Sequence, residues 1–195
     1  MIIGITGPSG AGKGTVSEML CAHGFIHIDT DLIGHDVANE ILPDLAARFG
    51  KDVVSSDGTL NRAALAKKAF SSKENTKALN TLMHGAIMNR VKEITEEEKK
   101  RGNDRFVIDG AALFEARGNE MCDYVIAVLC DEKVRLARVI ARDGITEEQA
   151  KQRFSRQLSS DYFKEHSDFV VDNNTLSDTK KQVYKIINTI YGGTK

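Results

Sequence analysis

Residues Met1 to Thr15 constrain this chain more than any other stretch. Met1-Ile2-Ile3-Gly4-Ile5-Thr6 is a short apolar run, the pattern of a buried strand. It leads into Gly7-Pro8-Ser9-Gly10-Ala11-Gly12-Lys13-Gly14-Thr15, after which Val16, Met19, Leu20 and His23 recur at helical spacing. Strand, glycine-rich turn, lysine and helix in that order are the context of a P-loop. Phosphate oxygens need many donors at close range, and a loop with little side-chain bulk lets backbone N–H groups approach them. The helix opening near Gly12 adds its unpaired N–H groups and positive dipole end. Lys13 adds an ammonium that follows charge on the β- and γ-phosphates. Gly10, Ala11, Gly12, Lys13, Gly14 and Thr15 are therefore the expected nucleotide-binding residues.

The usual pattern places Ser or Thr directly after the lysine, where its hydroxyl holds Mg²⁺. Here Gly14 stands there and Thr15 follows. Lys-Gly-Thr resembles the loops of nucleoside monophosphate kinases, so Mg²⁺ is expected to be held largely through water. Thr15 is then expected to contact phosphate and remains a candidate ligand of the metal.

At 195 residues, with 41% hydrophobic and 28% charged residues, the chain has the make-up of one globular domain, with room for a smaller subdomain. A formal net charge of -1 argues against a surface built for nucleic acid. No apolar run approaches the roughly 20 residues of a membrane span, and no leader precedes the first strand, so a cytoplasmic protein is expected. Cys21, Cys122 and Cys130 are odd in number without close pairing, and read as buried free thiols in a reducing compartment.

Along the chain, Phe25-Ile26-His27-Ile28 reads as a second strand ending at Asp29-Thr30-Asp31, with a short helix after it. Carboxylates at a strand's carboxyl end fall where open α/β sheets place ligands. Asp29 or Thr30 has the simpler reading of an N-cap; Asp31 does not, since a cap uses one side chain. Residues 42–70 are helical with a turn at Ser55–Thr59, and Asn61 caps the helix that follows. A long helix is expected from Glu74 to about Lys100, with Leu79, Leu82, Met83, Ala86, Ile87, Val91 and Ile94 on one face and His84 one position off it. Further strands are expected at Phe106–Asp109, Tyr124–Leu129 and Phe169–Val171. A helix starts at Asp131 and Glu132, Thr146 and Gln149 form a capping box for a helix carrying Ala150, Phe154 and Leu158, and a last helix carries Val183, Ile186, Ile187 and Ile190. Strands alternating with helices mean a doubly wound, five-stranded parallel sheet in an α/β fold.

Arg135, Arg138, Arg142, Lys151, Arg153 and Arg156 gather around one helix–helix turn. Two readings stand. They fold over a polyphosphate, gripping its oxygens with planar forks, or they form a solvated face paired with Asp143, Glu147 and Glu148. The second is the simpler for each of them except Arg142.

Assembled, these residues resemble the dephospho-CoA kinase family nearly from end to end. Gly24-Phe25-Ile26-His27-Ile28-Asp29-Thr30-Asp31 is similar to its Gly-x-x-x-Ile-Asp-Ala-Asp, and Leu79-Asn80-x-Leu82-x-His84 to its Leu-Asn-x-Leu-x-His. Asp57-Gly58-Thr59-Leu60-Asn61-Arg62, Leu113-Phe114-Glu115, Arg142-Asp143-Gly144 and Asp168 through Asn174 complete the series. Gly85 and Ala111-Ala112 depart from its usual residues. The resemblance implies a P-loop kinase fold with a core (about 1–35, 104–135 and 165–195), a helical acceptor subdomain (about 36–103) and a lid (about 136–164).

It also implies transfer of a phosphoryl group from ATP, with Mg²⁺, to the ribose 3′-hydroxyl of dephospho-CoA. Asp31 would orient or accept that hydroxyl's proton. Lys13 and Arg142 would neutralise the transferring group, Arg62 and His84 would lie in the acceptor subdomain, and Asn173 near adenine. The partner is then a small molecule, and the chain a monomer or small homo-oligomer. Two alternatives stay open: a nucleoside monophosphate kinase, and a nucleotide-regulated binding module without acceptor chemistry.

Overall fold

Strand β1 (Ile2–Thr6) is the middle of the sheet because its residues have nowhere else to go: Ile3 and Ile5 are fully buried. In the computed structural model, which describes residues 1–192, β1 pairs in parallel with β3 (Phe106–Asp109) on one side and β4 (Tyr124–Leu129) on the other. Strand β2 (Ile26–Asp29) borders β3, and β5 (Phe169–Asp172) pairs in parallel with β4, giving the order β2-β3-β1-β4-β5. The register Ile5 with Asp109 and Thr6 with Ala127 brings the carboxyl ends of the three central strands to one edge. Open parallel sheets bind ligands at that edge, at the strand where connections diverge to either side. The loop leaving β1 occupies that position.

Helix α1 (Lys13–Cys21) follows the loop, and α9 (Leu176–Gly192) closes the described chain. Val16 and Leu20 of α1 and Val183, Ile186, Ile187 and Ile190 of α9 pack with Ile3, Ile5, Val107, Ile126, Val128 and Val171. Each such aliphatic side chain, fully buried, contributes roughly 1.5–3 kcal/mol. On the other face Ala127 and Leu129 meet Phe163 of α8 (Ser160–His166), with Phe114 and Leu158 against them. Helices α6 (Glu132–Asp143) and α7 (Glu147–Phe154) lie between β4 and α8 in the chain, and the Thr146–Gln149 capping box forms as expected. Leu158 is not on α7. That helix ends at Phe154, and Ser159 starts α8 by accepting from the Tyr162 N–H.

The chain divides into two compact units, residues 1–28 with 104–195 and residues 29–103. The second consists of α2 (Thr30–Glu40), α3 (Leu42–Phe49), α4 (Arg62–Ala69) and α5 (Lys73–Lys100). Its core is Leu42, Leu45, Phe49, Val53, Leu60, Leu65 and Ala69, covered by Ala78, Leu79, Leu82 and Met83 of α5. Asn61 caps α4 by accepting from the Ala64 N–H, and Ser72 caps α5 through Asn75. The three cysteines are free thiols, each half-buried rather than buried. Among the described residues no helix is long and apolar enough to cross a membrane.

Candidate nucleotide-binding site

The loop between β1 and α1 turns on its glycines. Gly7 (φ 139°) passes so close to β4 that a Cβ would lie 2.1 Å from the Val128 carbonyl oxygen. Gly12 is the N-cap of α1 in the left-handed region (φ 89°), and a Cβ there would meet the Asn173 Nδ2 at 2.1 Å. No other residue fits either place. Between them Ala11 N–H donates to the Pro8 carbonyl at 3.1 Å, closing the turn. The Lys13 Nζ donates to the Gly7 carbonyl at 3.2 Å, so the ammonium lies across the loop it follows. First-turn N–H groups, helix dipole and ammonium together make an anion site.

The loop is held by α6 and the exit of β5. Arg135, only 8% exposed, lays its guanidinium 4.2 Å over the Phe154 ring and donates from Nε to the Ser9 carbonyl at 3.1 Å. Burial lowers its pKa, yet a guanidinium stays charged at any working pH. Arg138 donates to the carbonyls of Gly10 (3.3 Å), Ala11 (3.4 Å) and Asn173 (3.2 Å). Asn173 donates its amide to the Ala11 carbonyl at 2.7 Å. Gln157, in the turn between α7 and α8, pairs its amide with Ser9, accepting from the N–H at 3.2 Å and donating to Oγ at 3.0 Å. Beside them, burial holds the Cys130 thiol above its ordinary pKa despite Arg138 and Arg135, so it is a neutral group here.

The basic cluster therefore divides between the two readings. Arg153 pairs with Asp143 and Lys151 with Glu147 as a solvated face would have them. Arg135 and Arg138 turn inward to the loop, which the ion-paired reading did not foresee. Arg142 is exposed at the end of α6 and forms a two-pronged pair with Asp143, Nε to Oδ1 at 2.6 Å and Nη2 to Oδ2 at 3.0 Å. The hydrogen bonds from Arg142 and then Arg153 hold the Asp143 carboxyl far below the usual carboxylate range. Beneath α1, buried Asp109 at the end of β3 accepts from the Ser17 Oγ at 2.7 Å, with the His27 Nε2 3.5 Å from the same oxygen. Asp109 escaped the sequence reading, although an aspartate closing an apolar strand at the carboxyl edge was a usable signal.

The remaining candidates lie in the helical unit. Asp29 is the N-cap of α2, accepting from the Asp31 and Leu32 N–H groups at 2.8 and 3.1 Å. Asp31, exposed, opens the first turn of that helix. Arg62, also exposed, donates to the His35 carbonyl at 3.2 Å, and His84 is half-buried on α5. Thus the loop residues and Asn173 are gathered in one unit, while Asp31, Arg62 and His84 belong to the other.

A parallel sheet with a lysine-bearing glycine loop at its divergence point is the architecture of a P-loop nucleotide-binding protein. The family model described as dephospho-CoA kinase matches residues 1–178. A dephospho-CoA kinase of Corynebacterium glutamicum is 36% identical over 192 residues, covering 96% of each chain. One from Listeria monocytogenes is 34% identical, covering 95% of this chain and 94% of its own. The solved structure of the Campylobacter jejuni dephospho-CoA kinase superposes with a TM-score of 0.70 at 26% identity, covering 100% of this chain and 98% of that one. The chain belongs to the dephospho-CoA kinase family. This membership does not favour either alternative, the nucleoside monophosphate kinase or the binding module without acceptor chemistry.

Proposed function

We propose that the chain transfers the γ-phosphoryl group of ATP to the ribose 3′-hydroxyl of dephospho-CoA, giving coenzyme A and ADP, in the cytoplasm. The observation that carries this is the phosphate loop with Lys13 at its mouth, in a chain that matches this kinase family from residue 1 to residue 178. Phosphoryl transfer asks a protein mainly for positioning and for charge opposite the transferring oxygens. Lys13 and the loop N–H groups bind the β- and γ-phosphates. Asp31 orients the acceptor hydroxyl and takes its proton as the new P–O bond forms. Arg62 and His84 contact dephospho-CoA in the helical unit, residues 29–103, and residues of about 136–164 serve as the lid.

Mg²⁺ keeps several waters and binds ATP oxygens, so it needs few protein donors. The residues fit that demand. A side chain at Gly14 would meet nothing within 4 Å, yet none is present there. Among the described residues no three or more His, Cys, Asp or Glu are grouped to cage a metal. Thr15 is the oxygen donor beside the loop that would hold the ion's waters, and the ion would neutralise phosphate charge when bound.

The reading is tested by ADP release with Mg-ATP and, in parallel, dephospho-CoA, adenosine, AMP, CMP or no acceptor. Release that depends on dephospho-CoA, with product phosphorylated at the ribose 3′ position, is expected. Turnover with a monophosphate, or release independent of acceptor, would overturn it. Arg142→Ala is expected to lower kcat by about 10²-fold and to raise the KM for ATP less than about threefold, because its charge matters most as negative charge develops. Steady-state kinetics decides this, and the opposite pattern would make Arg142 a ground-state contact.

A further inference from the structure

A trans peptide holds its C=O and the next N–H on opposite sides. Fixing a carbonyl therefore fixes where the following N–H points. In the phosphate loop four carbonyls in succession are held by side chains: Ser9 by Arg135, Gly10 by Arg138, Ala11 by Asn173 and Arg138, and Gly12 by Asn173 at 3.4 Å. The N–H groups of Gly10, Gly12 and Lys13 are thereby turned to the opposite side, while that of Ala11 closes the turn onto Pro8. Carbonyls that rotated inward would present partial negative charge to phosphate.

We propose that Asn173 is the positioning residue that pre-sets this loop for polyphosphate, with Arg138 as its second brace; the inference rests on the loop being the ATP site. Asn173 is 4% exposed and Thr179, behind it, is fully buried, so water does not substitute for the amide. The two loop carbonyls demand donors and so fix Nδ2 toward them. The Oδ1 then accepts from the Thr179 Oγ1 at 2.7 Å. The main chain of Asn173 is pinned as well, its N–H donating to the Leu129 carbonyl at 2.6 Å and its carbonyl accepting from Arg138 at 3.2 Å. Both contacts of the amide nitrogen go to loop carbonyls. Packing alone would be served by a side chain of the same volume with no donor; only the carbonyl orientation requires the amide.

Asn173→Asp keeps shape and the Thr179 bond but sets a carboxylate oxygen against two carbonyl oxygens. The test measures binding of ATP and of inorganic tripolyphosphate by calorimetry, with kinetics and thermal melts, for Asn173→Asp, Thr179→Val and Thr179→Ser. Asn173→Asp is expected to weaken both ligands by about tenfold or more while the KM for dephospho-CoA stays within about twofold. Thr179→Val follows in the same direction to a smaller extent, and Thr179→Ser restores binding. It also keeps the test decisive should Asn173→Asp fold poorly. A lowered melting temperature with unchanged affinity of the folded enzyme would make Asn173 merely structural. Loss of ATP affinity with tripolyphosphate unaffected would mean it reads the base instead; either result overturns the proposal. Wild-type protein that bound neither ligand would overturn the nucleotide reading, and this inference with it.

Discussion

Asp31→Asn is expected to lower kcat by about 10²- to 10⁴-fold while ATP affinity stays within about twofold. The substitution keeps size and shape and removes only charge and basicity. Asp29 already caps α2 by accepting from the Asp31 and Leu32 N–H groups, so the Asp31 carboxylate is not required for that structural task. Asp31 lies in the first turn of α2, where the helix dipole favours a negative charge. Asp29→Asn is the matched control, because asparagine caps a helix as well as aspartate does. It should leave kcat within about threefold, since it removes a neighbouring charge without touching the proposed base. Steady-state kinetics with ATP calorimetry separates the cases. Equal loss of ATP binding and turnover in Asp31→Asn would mark Asp31 as structural or as part of the metal's surroundings.

Lys13→Met should lower kcat by about 10²- to 10³-fold and weaken ATP as well, because the ammonium faces charge already present in the ground state and growing in the transition state. Methionine retains most of the stem's bulk, so the loop's packing is preserved. The ammonium donates to the Gly7 carbonyl at 3.2 Å, while the loop is also braced by Arg135, Arg138 and Asn173, so the melting temperature is expected to change little. Lysine to arginine is not expected to rescue, since the planar guanidinium is too broad for a loop this close. The two variants together make a signature. Asp31→Asn spares ATP binding and Lys13→Met does not, so a chain in which both lost ATP binding alike would contradict the assigned roles.

Much of the architecture is legible in the sequence. Runs such as Tyr124–Leu129 are apolar throughout because a central parallel strand is buried on both faces, and they became strands where expected. Local chemistry was equally plain: Asn61 and Thr146 cap their helices because the atoms that satisfy a cap lie within four residues. Leu158 was misplaced for the converse reason. Periodicity carried past Phe154, while Ser159 offered a fresh start that periodicity does not weigh.

The phosphate loop was legible as a local object, since a strand, glycines, a lysine and a helix within fifteen residues already specify how backbone donors converge. What braces that loop was not. Arg135, Arg138, Gln157 and Asn173 reach it across sequence separations of 126 to 162 residues, and nothing local distinguishes an arginine on a solvated face from one laid on a carbonyl. Arg138 and Arg142 lie one helical turn apart on α6, yet one turns inward and the other pairs with Asp143. Sequence alone pointed to a phosphate loop after β1, because the donors such a loop needs belong to the backbone there. Only the tertiary structure decided which side chains meet the loop's carbonyls, because that depends on β4 and β5 carrying α6 and Asn173 to the loop.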